Sequence, residues 1–196
     1  MAAPHPAFTT PRRPALVIAL HWLTLAALLL GVVLILVRDG VDGRILRGWL
    51  LEGHRHLGLL VLGLLLARLA VRLLRHRLAA IGAHSLAARA AAAAVHVALY
   101  LLLAAVPMLG WTLSNAHGQE PHFLGLPLPT LVAADDDLAD TLQLWHARAA
   151  WTLLILGLVH ALAALWHHFI RRDAVLAAML PFRRNSAISA EDSLAP

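Results

Sequence analysis

The chain has 196 residues, of which 60% are hydrophobic and 14% are charged, and its formal net charge is +5. This apolar content excludes an ordinary soluble domain. The positive charge does not indicate nucleic-acid binding, because all 16 basic residues are arginines that flank apolar runs and form no single patch. The absence of cysteine excludes disulfides, iron–sulfur clusters and thiolate zinc sites.

Four long apolar runs follow one another along the chain. About 20 helical residues are needed to cross a hydrocarbon core of roughly 30 Å. The runs predict membrane spans at about 15–37, 55–74, 90–113 and 143–170. We therefore predict an all-α membrane protein, a four-transmembrane-helix bundle that forms one domain at 12–182. The tails 1–11 and 183–196 are rich in small residues and proline and are expected to be disordered.

The arginine distribution predicts the orientation of the bundle. Eleven of the 16 arginines lie on the side of the two tails, whereas the other side has five arginines and eight of the 11 acids. Both termini are therefore expected in the cytoplasm, and the connection 114–142 is expected outside. The first run is longer than the apolar region of a cleavable signal peptide, so we expect it to remain as a span.

Histidines within the apolar runs fall at two depths. In the expected orientation, His21 and His160 lie in the cytoplasmic half of the membrane, and His54 and His146 lie near the outer face. His146 and His160 are separated by 14 residues, or about 1,400° of helical rotation, so they share one helix face about 21 Å apart. The sequence thus predicts two levels, with the pairs His21/His160 and His54/His146.

The chemistry of these pairs favours haem over a bare metal ion. Two neutral imidazoles from facing helices suit the two axial positions of a haem iron, and the helices supply an apolar environment for the porphyrin. A zinc site normally needs three or four converging ligands, often with a carboxylate, and no predicted span contains Asp or Glu. The alternative of another class is a histidine-rich metal transporter, which would be colourless.

Two further features have both a haem-related and a structural interpretation. Arg68 is 14 residues after His54 on the same helix face, so it either binds a haem propionate or extends to the cytoplasmic headgroups. Gly58 is one turn after His54 and would leave room for a porphyrin, but glycines also serve close helix packing in membranes. The same two interpretations apply to Gly31, Gly63, Gly110 and Gly157.

Six segments have a specific order and spacing: IALHWLTL, HRHLGLLVL, LARLAVRL, VHVALYLLLAAVPMLGW, LWHARAAW and VHALAALWHHFIRRDAVLAAMLP. Over about 15–182 they resemble the prokaryotic cytochrome b561 family of di-haem membrane proteins. The resemblance implies two haem b groups, held by the same two histidine pairs. It also implies a multi-pass protein of the bacterial inner membrane that transfers electrons between quinone and a redox partner.

Other histidines are candidates for secondary roles. His96 lies at the depth of His21, and it is an alternative ligand or a contact for a propionate or a quinone. His167 and His168 are candidates for a propionate or quinone contact near the cytoplasmic face. His56 is an alternative to His54, but a rotation of about 200° directs it away.

The resemblance leaves the activity open. Some family members are linked to superoxide oxidation, so superoxide oxidation coupled to ubiquinone reduction is one candidate, and whether the chain is an enzyme stays undecided. An anionic substrate is attracted by positive charge, and only Arg55 and Arg148 offer it close to the outer histidines. The alternative is a haem b membrane-anchor subunit of a hydrogenase or another dehydrogenase.

Overall fold

The computed structural model describes residues 13–74, 85–173 and 175–180. Four long helices dominate it: α1 (Ala15–Gly40), α2 (Arg44–Leu74), α3 (Leu86–Ala116) and α4 (Asp136–Phe169). All four are long and apolar enough to cross a membrane, which confirms the predicted all-α membrane bundle. The remaining elements are strands β1 (His122–Phe123) and β2 (Leu126–Pro127) and a 3-10 helix at Ala177–Met179. The two predicted tails lie outside the described residues.

The helices pack as two antiparallel pairs. α1 packs along α2, α3 packs along α4, and α2 also contacts α3. Five buried side chains, at least one from each helix, form the core: Ala27, Val61, Leu65, Leu103 and Leu153. Many other leucines, valines and tryptophans of the helices are exposed on the outside of the bundle, where lipid would cover them.

Local signals set where the helices begin. Ser85 caps α3 by accepting a hydrogen bond from the Ala88 N–H, at 3.3 Å. Asp135 caps α4 in the same way by accepting from the Leu138 N–H, at 2.9 Å, and Asp136 and Asp137 occupy the first turn. Carboxylates are favourable there because the helix dipole is positive at its N-terminus. The acidic run therefore starts α4 seven residues before the predicted span.

The connection between α3 and α4 folds over one end of the bundle. Strands β1 and β2 form an antiparallel hairpin whose turn residues, Leu124 and Gly125, both have positive φ, as in two-residue hairpin turns. Asn115 is buried and ties the connection to α3, because its Nδ2 donates to the Gln119 carbonyl and its Oδ1 accepts from the Leu131 N–H. We call this end of the bundle the loop end.

Both ends of the described chain meet at the opposite end of the bundle. The indole N–H of Trp22, in α1, donates to the Met179 carbonyl at 2.8 Å, which attaches the segment after α4 to the first helix. We call this the terminus end. The terminus end therefore brings together segments that are far apart in the sequence, such as α1 and the segment after α4.

Candidate functional site

The four predicted ligand histidines form two facing pairs. At the loop end, the ring centroids of His54 and His146 are 6.1 Å apart. At the terminus end, those of His21 and His160 are 6.5 Å apart. Imidazole nitrogen binds a transition metal at about 2 Å and lies about 1.1 Å from its ring centroid, so two axial imidazoles on one iron have centroids about 6 Å apart. The spacing of both pairs fits a haem iron between the rings.

Backbone carbonyls fix both rings at the loop end. Nδ1 of His54 donates to the Gly31 carbonyl at 2.8 Å, and Nδ1 of His146 donates to the Val106 carbonyl at 3.0 Å. A carbonyl oxygen only accepts, so Nδ1 carries the proton and the Nε2 lone pair is free in each neutral ring. This is the arrangement that orients a metal-ligating histidine and raises its basicity.

Two glycines lie close to the loop-end rings. A Cβ atom at position 110 would lie 3.1 Å from Cε1 of His146, which is closer than ordinary van der Waals contact. A Cβ at position 31 would lie 3.6 Å from the Leu57 Cβ and 3.9 Å from Nδ1 of His54. Gly110 therefore serves the close packing of His146 against α3, which is the structural interpretation of this glycine, whereas a Cβ at position 31 would make only ordinary van der Waals contacts.

Other glycines face open space. A Cβ at Gly58, Gly63 or Gly157 would meet no atom within 4 Å. Gly58 follows His54 by one helical turn, so the free volume beside it is compatible with an adjacent porphyrin edge. The spacing of the rings and this free volume are the two observations that make the loop end suitable for a haem.

The terminus end holds three imidazoles and one guanidinium. Nη2 of Arg68 lies 3.4 Å from Nδ1 of His21, and its Cζ lies 5.5 Å from the centroid of the Tyr100 ring. A guanidinium only donates, so in this contact Nδ1 of His21 accepts and Nε2 holds the proton. If His21 held an iron through Nε2, its Nδ1 would carry the proton, and the Arg68 guanidinium would be available for another acceptor such as a carboxylate.

His96 is also at this level, as its depth in the sequence predicted. Its ring centroid is 5.1 Å from that of His160, and its Nδ1 contacts the Ala92 carbonyl of its own helix at 2.6 Å. A separation of 5.1 Å is shorter than the roughly 6 Å that two axial ligands need. The geometry therefore favours His21 over His96 as the partner of His160, and it places His96 beside the pair.

An apolar layer separates the two levels. Leu153 is seven residues from both His146 and His160 in the chain, so it lies about 10 Å along α4 from each. Leu153 belongs to the buried core, whose five side chains carry no hydrogen-bonding group. These five side chains therefore place hydrocarbon between the two histidine levels, and the partly buried Tyr100 packs against them.

The remaining candidates near the terminus end have contacts of their own. Nδ1 of His167 lies 2.5 Å from Oδ2 of Asp173, so this carboxylate, which follows Arg171 and Arg172 in the chain, holds the imidazole ring. His168 packs edge to face against Phe169, with centroids 4.9 Å apart. These contacts place both histidines at the surface where α4 ends.

Sequence reasoning missed a cluster at the loop end. Glu52, His56 and His122 converge there, and their donor atoms all lie within 4.8 Å of one another. The Glu52/His56 spacing of four residues is a signal that both face one side of a helix. His122 carried no such signal, because only the folded hairpin brings it to α2. His56 faces this cluster, and its ring stacks on Phe123 with centroids 5.9 Å apart.

The two arginines near the outer histidines are both engaged. Arg55 contacts the Glu52 carboxylate at 3.5 Å and also contacts the side-chain oxygen of Gln119. Arg148 lies over the Trp145 ring, with its Cζ 5.6 Å from the centroid. Arg55 is thus paired with a carboxylate, whereas Arg148 lies against an aromatic ring of its own helix.

Comparison with known proteins identifies the chain's relatives. The sequence model of a family described as prokaryotic cytochrome b561 matches residues 12–182. A probable superoxide oxidase, CybB of Yersinia pestis, is 32% identical over 168 residues, which is 85% of this chain and 94% of the relative. Cytochrome b561 homolog 2 of Escherichia coli K12 is 35% identical over 133 residues, covering 66% of this chain and 69% of the relative. Cytochrome b561 homolog 1 of the same organism is 28% identical over 85% of this chain and 96% of the relative.

Proposed function

The chain belongs to the prokaryotic cytochrome b561 family of membrane electron-transfer proteins, and we propose that it carries electrons between the quinone pool of the bacterial inner membrane and a redox partner. Two haem b groups, one at each histidine level, would supply one-electron chemistry. The observation that carries this proposal is the pair of ring separations, 6.1 and 6.5 Å, at two levels of one bundle.

Each level contributes differently to holding such a group. At the loop end, the Gly31 and Val106 carbonyls keep Nε2 of His54 and His146 free for iron. At the terminus end, Arg68 places a positive charge beside His21 and can bind a propionate bidentately. A nearby cation stabilises the more negative, reduced state of a redox centre, so the positive charge of Arg68 would favour electron flow toward the terminus end.

The quinone is proposed to exchange electrons at the terminus end. Quinone reduction consumes protons, and histidine is the side chain that changes charge near neutral pH. His96 lies beside the His21/His160 pair, and His167 and His168 lie where α4 ends. These three histidines are the proposed contacts for a quinone headgroup or a propionate.

Superoxide oxidation coupled to ubiquinone reduction is the second candidate, and the name of the Yersinia relative supports it. The loop end carries Arg148 close to His146, which would attract an anion. Against it, Glu52 pairs with Arg55, and eight acids, Glu52 among them, lie on the same side of the chain. The test is superoxide-dependent reduction of a short-chain ubiquinone by the purified protein; absence of this activity in a two-haem sample removes the candidate.

The central test is the haem content of single histidine variants. The purified wild-type protein should show a reduced-minus-oxidised haem b spectrum and two haems per chain in a pyridine haemochrome assay. His54→Ala and His21→Ala should each remove one haem and leave the other. His56→Ala is the matched control, because it lies two residues from His54 and should keep both.

Other results would point elsewhere. A colourless protein, made with haem available, would contradict the proposal and favour metal transport. Loss of haem in His56→Ala, with haem retained in His54→Ala, would show that the loop-end pair is wrong. Co-purification with a hydrogenase or another dehydrogenase in stoichiometric amount would favour an anchor subunit.

A further inference from the structure

We propose that Glu52, His56 and His122 form a binding site for a zinc ion that joins the β1–β2 hairpin to α2 beside the loop-end histidines. Glu52 and His56 lie one turn apart on α2, and His122 lies on β1. Their three donor atoms lie within 4.8 Å of one another. This site is separate from the histidine pairs, and it does not depend on the proposed electron transfer.

Two of the three distances between these side chains match a zinc coordination sphere, and the third lies within 4.8 Å. Oε1 of Glu52 is 3.2 Å from Nδ1 of His56 and 3.5 Å from Nε2 of His122. Ligands at the corners of a tetrahedron with bonds of about 2.0 Å are about 3.3 Å apart. Two histidines and one glutamate are a known zinc ligand set, and the fourth position is then open to water.

The surroundings orient the carboxylate for this role. Arg55 contacts Oε2 of Glu52 at 3.5 Å, so the second oxygen, Oε1, faces the two imidazoles. The Gln119 side chain holds the guanidinium on its other side. The positive charge of Arg55 opposes a nearby cation, so we expect affinity in the micromolar range and not the much tighter binding of structural zinc sites.

Zinc would replace contacts that already connect the three side chains. Nδ1 of His56 is also 2.9 Å from the Glu52 carbonyl, and its Nε2 is 3.4 Å from the backbone N of Leu124. A carbonyl oxygen only accepts, so Nδ1 of His56 donates this bond and holds the ring proton. Zinc binding through Nδ1 would displace that proton, so His56 would exchange its hydrogen bond to the Glu52 carbonyl for the metal. The three side chains already lie close together, and the bound ion would fasten the hairpin more firmly to the helix that carries His54.

The site is accessible from the loop-end surface. The His122 side chain is 50% exposed, whereas Glu52 and His56 are 29% and 26% exposed. A cation can therefore enter through the hairpin side. Because the His122 side chain is half exposed and lies outside the buried core cluster, its substitution should leave the fold intact.

The experiment is a zinc titration of the full-length, tag-free protein in detergent, by competition with a chromogenic chelator. We expect one zinc per chain, with affinity reduced at least 10-fold in His122→Ala and in Glu52→Gln. His117→Ala is the control, because His117 is exposed in the same connection and should leave zinc affinity unchanged. A far-ultraviolet circular dichroism spectrum identical to wild type would show that each variant is folded.

A second readout tests the joining of hairpin and helix. Zinc should slow chymotrypsin cleavage at Phe123 and Leu124 in wild type and in His117→Ala, but not in His122→Ala. Equal zinc affinity in wild type, His122→Ala and Glu52→Gln would overturn the proposal, as would binding of much less than one zinc per chain. Zinc binding to a protein without haem would overturn only the proposed electron transfer.

Discussion

Gly110→Ala tests how closely α3 constrains the loop-end site. The added Cβ would lie 3.1 Å from Cε1 and 3.4 Å from Nδ1 of His146, so the ring must move by a few tenths of an ångström. Val106 is one turn before Gly110 on the same helix, so this movement lengthens the bond from Nδ1 to the Val106 carbonyl, now 3.0 Å. Overpacking costs about 1–3 kcal/mol. Since each 1.4 kcal/mol is tenfold, loop-end haem affinity should fall about 5–150-fold.

The assay is transfer of haem from the cytochrome to excess apomyoglobin, followed by absorbance. Gly110→Ala should release one haem faster than wild type and leave the other unchanged. Gly48→Ala is the matched control, because it also adds a methyl group to a long helix, α2, but meets no atom within 4 Å. Identical transfer kinetics in wild type, Gly110→Ala and Gly48→Ala would refute the proposed constraint on His146.

Three more changes test other parts of the molecule. Arg68→Gln should lower the midpoint potential of the terminus-end haem by on the order of 70 mV in a redox titration, which corresponds to two unit charges about 10 Å apart at an effective dielectric constant of about 20. Arg68→Lys keeps the charge and should restore most of the potential. An unchanged potential in Arg68→Gln would exclude an electrostatic role of Arg68 at this haem. His96→Ala should keep two haems and slow quinone reduction, whereas loss of one haem would make His96 a ligand. Asn115→Ala removes two hydrogen bonds of a buried side chain, about 1 kcal/mol each. Proteolysis between 117 and 131 should therefore accelerate. An unchanged cleavage rate would show that the connection is held by other contacts.

Much of the fold follows from local sequence. Span length and apolar content are properties of each segment alone, so all four helices were predictable. The depths of His21, His54, His146 and His160 followed from their positions within those spans. Helical geometry then predicted which side chains share a level, and the structure places them there.

The rest depends on contacts between distant segments. Nothing near His122 in the sequence indicates that a hairpin brings it to Glu52, because that placement depends on Asn115 tying the connection to α3. Likewise, a glycine in a membrane helix has several common uses. Only the packed helices show that Gly110 accommodates His146 and that Gly63 faces open space.

The hydrocarbon layer around Leu153 has a consequence for energy conversion. The two histidine levels are about 21 Å apart in a hydrocarbon core of about 30 Å, so an electron passing between them crosses roughly two thirds of the membrane voltage. That corresponds to about 1.6 kcal/mol per 100 mV. The five core side chains offer no group that could carry a proton across the same interval. Electron transfer between the levels would therefore be electrogenic, and its rate should respond to the membrane potential in sealed vesicles.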